Sequence, residues 1–282
     1  MSAQTSQRTR TARPEGATLG SWASDVRTVT WRNLIKFRRN PEILLFAVLQ
    51  PIMFVLLFSQ VYGGSIQIDG GVDYTQYLMA GIFGQTVLFG STFSGYQMAQ
   101  DLKEGMIDRF RTLPMHDSAV LFGRTNADLA LNAVSMVIMM LTGFLVGWRF
   151  REGVLSLLAG VAILLLFSYA FSWVMTLLGI VVRTPEVINN ASFMVLFPLT
   201  FISNAFVQAS RLPGPLEFIA NWNPVSALVQ AARELFGNTG VDPAADTFPM
   251  QHPVLTVLLG SAVMLLVFVP LTVARFRKAS SR

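Results

Sequence analysis

The chain has 282 residues, 52% of them hydrophobic and 13% charged, about half the charged fraction of an ordinary soluble domain. The formal net charge is +5, with 18 Arg among 21 basic residues, but that charge flanks apolar runs, which argues against a nucleic-acid surface. There is no Cys, which excludes disulfides, thiolate metal sites and a Cys nucleophile.

Residues 1–18 are rich in Ser, Thr, Gln and Arg. No apolar run follows directly, so the segment reads as a disordered tail rather than a signal peptide, with an organelle transit peptide as the other reading. In Trp22–Arg39, the residues Trp22, Val26, Val29, Leu34 and Phe37 fall on about a third of a helical wheel. Arg27, Arg32, Lys36, Arg38 and Arg39 flank or oppose them, while Trp31 and Ile35 break the stripe. Such a helix lies along a membrane surface with its basic side toward lipid phosphates, either as a plain anchor or as a mechanical part.

A bilayer core needs about 20 apolar residues in a helix. Six charge-free stretches meet this: Ile43–Tyr62, Tyr77–Gln100, Leu129–Trp148, Val154–Val182, Val187–Ser210 and Pro253–Ala274. Asn40-Pro41 and Thr184-Pro185 read as N-caps followed by Pro at the first helical position. Pro51, Pro198 and Pro270 lie inside spans and should kink or loosen them. Threading the chain through six spans places 17 of the 21 basic residues on one side, so both termini are expected in the cytoplasm.

Two connecting segments carry more than topology. In Asp101–Pro114, the residues Met106, Phe110 and Leu113 share one helical face with Ile107 beside them, while Glu104, Asp108 and Arg111 lie elsewhere. That face needs lipid or a protein partner. In Pro213–Gly237, the stretches Leu216–Trp222 and Val225–Phe236 are too short to span and read as a re-entrant or interfacial helical pair on the outer side. Asn223-Pro224 starts the second stretch and Gly237 stops it.

Within spans, the amides of Gln50, Gln85, Asn132, Asn189, Asn190 and Asn204 should face neighbouring helices or a cavity. Arg124 and Asp128, four apart, are expected to pair locally. Gly143–Gly147 is a GxxxG and points to close helix packing. No Gly-rich run precedes any of Lys36, Lys103 and Lys278, so there is no P-loop. There is no GxSxG, no acid paired with a His inside a span, and no chain of intramembrane carboxylates. His116 and His252 form no HExxH-like pattern, so a zinc site is not expected. Any uphill transport must draw its energy from elsewhere.

This layout resembles the permease subunits of type-2 ABC exporters. DLKEGMIDRFRTLPM at Asp101–Met115 is similar to that family's loop between spans two and three. The run through Gly123-Arg124 and Asp128, the stretch Thr176–Val207 and the segment NPVSALVQAARELFGN at Asn223–Asn238 resemble its daunorubicin-resistance branch. The resemblance extends from Trp22 to the end of the chain. It implies an all-α, type V ABC exporter-like fold: a tail at 1–18, an amphipathic elbow helix at 19–40, a six-span permease domain at 41–276 and a second tail at 277–282.

The resemblance also assigns roles. Trp31, Leu34, Phe37 and Arg38 belong to the elbow. Glu104, Gly105, Met106, Ile107, Asp108, Phe110, Arg111 and Leu113 form the coupling helix that meets the ATPase. Asn223, Pro224 and Arg233 stand at the outer gate. By residue type and not by the resemblance, the in-span rings and amides Phe89, Phe93, Asn190, Phe193, Phe197, Phe201 and Asn204 are the expected substrate path, although most Phe in membrane helices face lipid or core. The implied partners are two copies of an ABC ATPase subunit, a second permease chain, identical or homologous, and membrane lipids. ATP and Mg would be bound by the ATPase, with no cofactor on this chain. The expected activity is export of hydrophobic or amphipathic drugs or lipids across a bacterial cell membrane. A polysaccharide exporter, a non-transporting scaffold and a lipid-modifying enzyme are the alternatives, the last without a catalytic cluster.

Overall fold

Backbone groups in hydrocarbon must pair within their own segment, and the long apolar runs do so as helices. The computed structural model describes residues 19–62, 68, 71–106, 115–182, 184–239 and 246–279. Over these residues the chain forms α1 (Leu19–Arg39), α2 (Pro41–Tyr62), α3 (Tyr74–Lys103), α4 (Asp117–Val146), α5 (Val154–Val181), α6 (Pro185–Phe201), α7 (Gly214–Trp222), α8 (Pro224–Phe236), α9 (Phe248–Gln251) and α10 (Pro253–Ala279). Among them, Ser118–Val146, Val154–Val181 and Pro253–Lys278 are long and apolar enough to cross a membrane by length and composition.

α3 is the central helix. It is buried almost continuously from Tyr74 to Leu88 and touches α2, α4, α5, α6 and α8. Its closest neighbour is α5. Where they cross, the backbone at Gly95 lies against the Met175 carbonyl, and Gly179 lies against the Gly95 carbonyl. Small residues allow this approach, and hydroxyls bind it: Ser91 Oγ donates to the Ser168 carbonyl at 3.1 Å, and Asn132 Nδ2 donates to Ser168 Oγ at 3.0 Å. Gly179→Leu has no room at this crossing and is expected to cost about 1–3 kcal/mol by overpacking. A lowered melting temperature of the detergent-solubilised protein checks it, and an unchanged one would mean the helices separate without penalty.

Helix bounds depart from the hydropathy reading in two instructive places. α4 begins at Asp117, twelve residues before the expected Leu129, because the charges that interrupt the apolar run are buried by partners on α3. α6 stops at Phe201, although its charge-free run continues to Ser210. Pro198 withholds an N–H three residues earlier, and side chains from elsewhere take the terminal carbonyls. Asn223 Nδ2 donates to the Leu199 carbonyl at 2.7 Å, and Ser203 Oγ to the Thr200 carbonyl. α2 and α10 continue through Pro51 and Pro270.

Local signals fared unevenly. Asn223 caps α8, its Oδ1 accepting from the Val225 N–H at 2.9 Å. Asp73, not anticipated, caps α3 through the Thr75 N–H at 2.7 Å. The Thr184 side chain makes no cap bond, and Asn40 turns its amide back to the Lys36 carbonyl of α1. The GxxxG reading needs correction: Gly143 sits against Met79, whereas Gly147 ends α4 at φ 103°, a left-handed stop and not a packing site.

Candidate transport pathway and coupling elements

At one end of the bundle, α1 grips the chain on both sides of the 104–116 segment. α3 closes through Glu104, whose N–H bonds the Gln100 carbonyl, and through Gly105 at φ 65°. Of the expected coupling residues, Glu104, Gly105 and Met106 are described here, whereas Ile107, Asp108, Phe110, Arg111 and Leu113 lie outside the described residues. At the entrance to the segment, Lys36 Nζ donates to Gln97 Oε1 at 3.1 Å. Past its exit, Asp25 Oδ2 lies 3.0 Å from His116 Nδ1 and accepts from the His116 N–H at 3.3 Å. Trp22 Nε1 donates to Ser118 Oγ at 3.1 Å, and the Trp22 ring meets Phe122 edge-on. Val26 and Val29 are buried against the backbone at Gly123, and Phe37 meets Phe93 at 5.9 Å. The apolar stripe of α1 therefore faces α3 and α4, with Trp31 on the opposite side, 65% exposed.

A buried charged cluster lies beneath this contact. Arg124 Nη1 donates to Asp101 Oδ2, and Nη2 to Gln97 Oε1 at 3.1 Å. Gln97 thus accepts from cations on both α1 and α4. Asp128 accepts from Ser94 Oγ instead. The expected local pair of Arg124 with Asp128 is corrected accordingly. A cation N-terminal to its acid is the weaker order on one helix, while α3 offers a carboxylate and an amide oxygen to the guanidinium fork. At the surface nearby, Lys103 stands 3.5 Å from Glu186. The Glu186 carboxyl is held below the usual carboxylate range, first by a backbone N–H bond and further by Lys103.

Along the middle, α6 turns Pro185, Ile188, Ser192, Leu196 and Thr200 inward. Its other face is open: Asn189, Asn190, Phe193, Phe197 and Phe201 are exposed. Phe193 reaches Phe89 of α3 at 5.2 Å, and Phe197 stacks on Phe201 at 4.4 Å. Four of the expected path residues, Asn190, Phe193, Phe197 and Phe201, form one stripe, with Phe89 beside it. Phe93 instead joins α1, and Asn204 is buried at the far end.

At that far end, α8 is locked onto α3 and the end of α6. Arg233 is fully buried. Its Nε donates to the Tyr77 carbonyl at 3.1 Å, and its Nη2 to the carbonyls of Asn204 at 2.6 Å and Ala205 at 3.2 Å. The guanidinium lies 3.4 Å from the centre of the Tyr77 ring. Tyr77 Oη also donates to the Asn204 carbonyl at 2.9 Å, and Ser226 Oγ accepts the Asn204 N–H at 3.1 Å. A cation here satisfies two carbonyls of the turn that follows α6. Phe83, Trp148 and Phe236 meet edge-on beside it, and the Arg151 N–H takes the Phe236 carbonyl at 2.9 Å. Asn223 and Arg233 were legible as charged or polar interruptions of apolar runs. Tyr77, Ser226, Asp25 and Gln97 carried no such signal, because their roles depend on which helices meet.

The model of the family described as ABC-2 type transporter matches residues 24–236, from α1 through the end of α8. The chain is an ABC-2 type transporter permease. The daunorubicin resistance ABC transporter permease protein DrrB1 of Streptomyces coeruleorubidus is 33% identical over 255 residues, covering 90% of this chain and 86% of that one. The probable doxorubicin resistance ABC transporter permease protein DrrC of Mycobacterium tuberculosis is 24% identical over 260 residues, with 89% and 88% covered. The putative transport permease ycf38 of Cyanophora paradoxa is 22% identical over 239 residues, with 84% and 81% covered. As an ABC-2 permease, this is a multi-pass membrane subunit whose ATPase activity lies in a partner subunit. The family match takes in the contacts from Asp25 of α1 to Arg233 of α8, while Trp22 lies just ahead of it.

Proposed function

We propose that this permease exports hydrophobic or amphipathic drugs or lipids from a bacterial cell, as one half of a transporter completed by a second permease chain and two ABC ATPase subunits. In this reading the six expected spans cross the cell membrane with both termini in the cytoplasm. α1 is the elbow, Asp101–Pro114 is the coupling helix, and α7 and α8 are the outer re-entrant pair. ATP and Mg are bound by the ATPase.

The observation that carries the proposal is the open face of α6. Asn189 and Asn190 expose amides there beside Phe193, Phe197 and Phe201. Hydrocarbon satisfies no amide, so a polar pair at this depth needs protein or a wet cavity opposite it. A second permease chain across a midline path supplies both. A row of aromatic rings with a pair of amides at one end suits a cargo with an apolar body and a few polar groups, and the relatives named for daunorubicin and doxorubicin resistance support that cargo class.

Purification from the native membrane in mild detergent, with mass spectrometry of copurifying chains, tests the assembly. The expected result is a P-loop ATPase at equal stoichiometry; a permease that emerges alone even after gentle crosslinking would point to a scaffold instead. Function is tested by drug tolerance in a sensitive host carrying the permease with that ATPase. Phe110→Asp is expected to abolish tolerance while membrane expression stays normal, and retained tolerance would remove Phe110 from the coupling contact.

A further inference from the structure

The two flanks of α1 are put to different uses. One flank carries Asp25 and Lys36, both engaged with the bundle beside the 104–116 segment. The other runs beside α4 and leaves a groove of about 750 Å³, lined in part by Trp22, Arg27, Thr30, Trp31, Leu34 and Asn126. That volume is in the range of pockets that hold a sizeable ligand, roughly 300–1,000 Å³. Among the described residues Arg27 has no acidic partner, in contrast to Arg124 in its pair with Asp101. Arg27 and Trp31 are exposed, Asn126 is half-buried, and the Thr30 hydroxyl donates to the Val26 carbonyl at 2.8 Å. Its oxygen still offers lone pairs, but the groove's uncommitted charge is a single guanidinium.

We propose that this groove seats an anionic phospholipid of the inner leaflet. Its chemistry is divided as a glycerophospholipid requires. Arg27 meets the phosphate, the Asn126 amide donates to an ester carbonyl, and Leu34 with the faces of Trp22 and Trp31 borders the first acyl carbons. Indole rings and Arg side chains are suited to this depth, where one part of the residue is apolar and another wet. The occupant is anionic because the cytoplasmic leaflet carries the membrane's negative surface potential, and the α1 end is the cytoplasmic end in the reading above, on which this proposal rests. A lipid held there presses α1 onto α4 and steadies both ends of the segment that α1 grips. Inner-leaflet composition then becomes an input to coupling.

The test uses the full permease with its ATPase, reconstituted in phosphatidylcholine vesicles doped with either brominated phosphatidylglycerol or brominated phosphatidylcholine. Bromine quenches nearby indole, and Trp31 is isolated from the chain's 5 Trp by subtracting the quenching seen in Trp31→Phe. The expected result is that the brominated anionic lipid quenches Trp31 at about fivefold lower doping, the effect of one basic side chain at a charged surface. Arg27→Gln should bring the two lipids together, with an unchanged gel-filtration profile confirming the fold, while Arg39→Gln on the same helix should leave the preference intact. Equal quenching by both lipids in the wild type overturns the proposal. So does an Arg39→Gln variant that loses the preference as fully as Arg27→Gln, since that describes a diffuse field and not a site. Symmetric vesicles present both leaflets alike, so the outcome does not depend on orientation, and copurification tests the transporter reading separately.

Discussion

Arg233→Ala should be among the most damaging single substitutions in this permease, lowering folded yield and abolishing transport together. The side chain is fully buried and donates to three carbonyls on two other elements. Hydrogen bonds from a charged group are worth about 1.5–3 kcal/mol each, and truncation leaves their acceptors buried and unpaired. A loss of about 3 kcal/mol or more is therefore expected, against a typical total stability of about 5–15 kcal/mol. Arg233→Lys keeps the cation but not the fork that reaches Tyr77 and Asn204 at once, and should fall between. The measurement is thermal unfolding in detergent alongside drug tolerance. If Arg233→Ala melts with the wild type, the lock between α8 and the end of α6 is not what holds that end together.

The second large effect is expected at Arg124. Arg124→Leu strands the buried Asp101 carboxylate without its ion-pair partner, and breaking such a pair from one side costs about 3–5 kcal/mol. Removing both charges is a different matter. Asp101→Leu with Arg124→Leu leaves neither charge behind and should be markedly more stable than Arg124→Leu alone, because desolvated pairs are replaceable by apolar packing. Strict additivity of the two single losses would sink this account. Even where the double variant folds, it lacks the guanidinium that joins α4 to the Gln97 shared with Lys36. Transport per ATP hydrolysed should then fall while hydrolysis continues, a separation that a purely structural defect would not produce.

Much of the helical layout was legible because apolar runs and chain punctuation agree. Asn223-Pro224 and Gly237 mark the bounds of α8 to the residue. The reading failed where a helix end is decided by distant partners. A hydropathy count takes Arg124 and Asp128 as the end of a span, yet they sit inside α4 because α3 brings Asp101, Gln97 and Ser94 to meet them. The same count runs α6 through to Ser210, since nothing local announces that Asn223 will take the Leu199 carbonyl or that Arg233 will take those of Asn204 and Ala205 in the turn beyond. Of the candidate path, which rests on residue type alone, Asn190, Phe193, Phe197 and Phe201 share one exposed face of α6. Phe93 and Asn204 did not belong to it, for their neighbours are set by where α1 and α8 lie.

The early stop of α6 also bears on the membrane itself. With 17 residues, that helix is about 25 Å long, some 5 Å short of a typical hydrocarbon core of about 30 Å. Longer neighbours such as α5, with 28 residues, have no such deficit. On the proposed reading α6 crosses the membrane, and local thinning of the bilayer would relieve this mismatch, drawing lipid headgroups and water inward beside that helix. If cargo leaves along α6, as proposed, it would cross less oil there than in the surrounding bilayer, and lipids with longer acyl chains should slow its release.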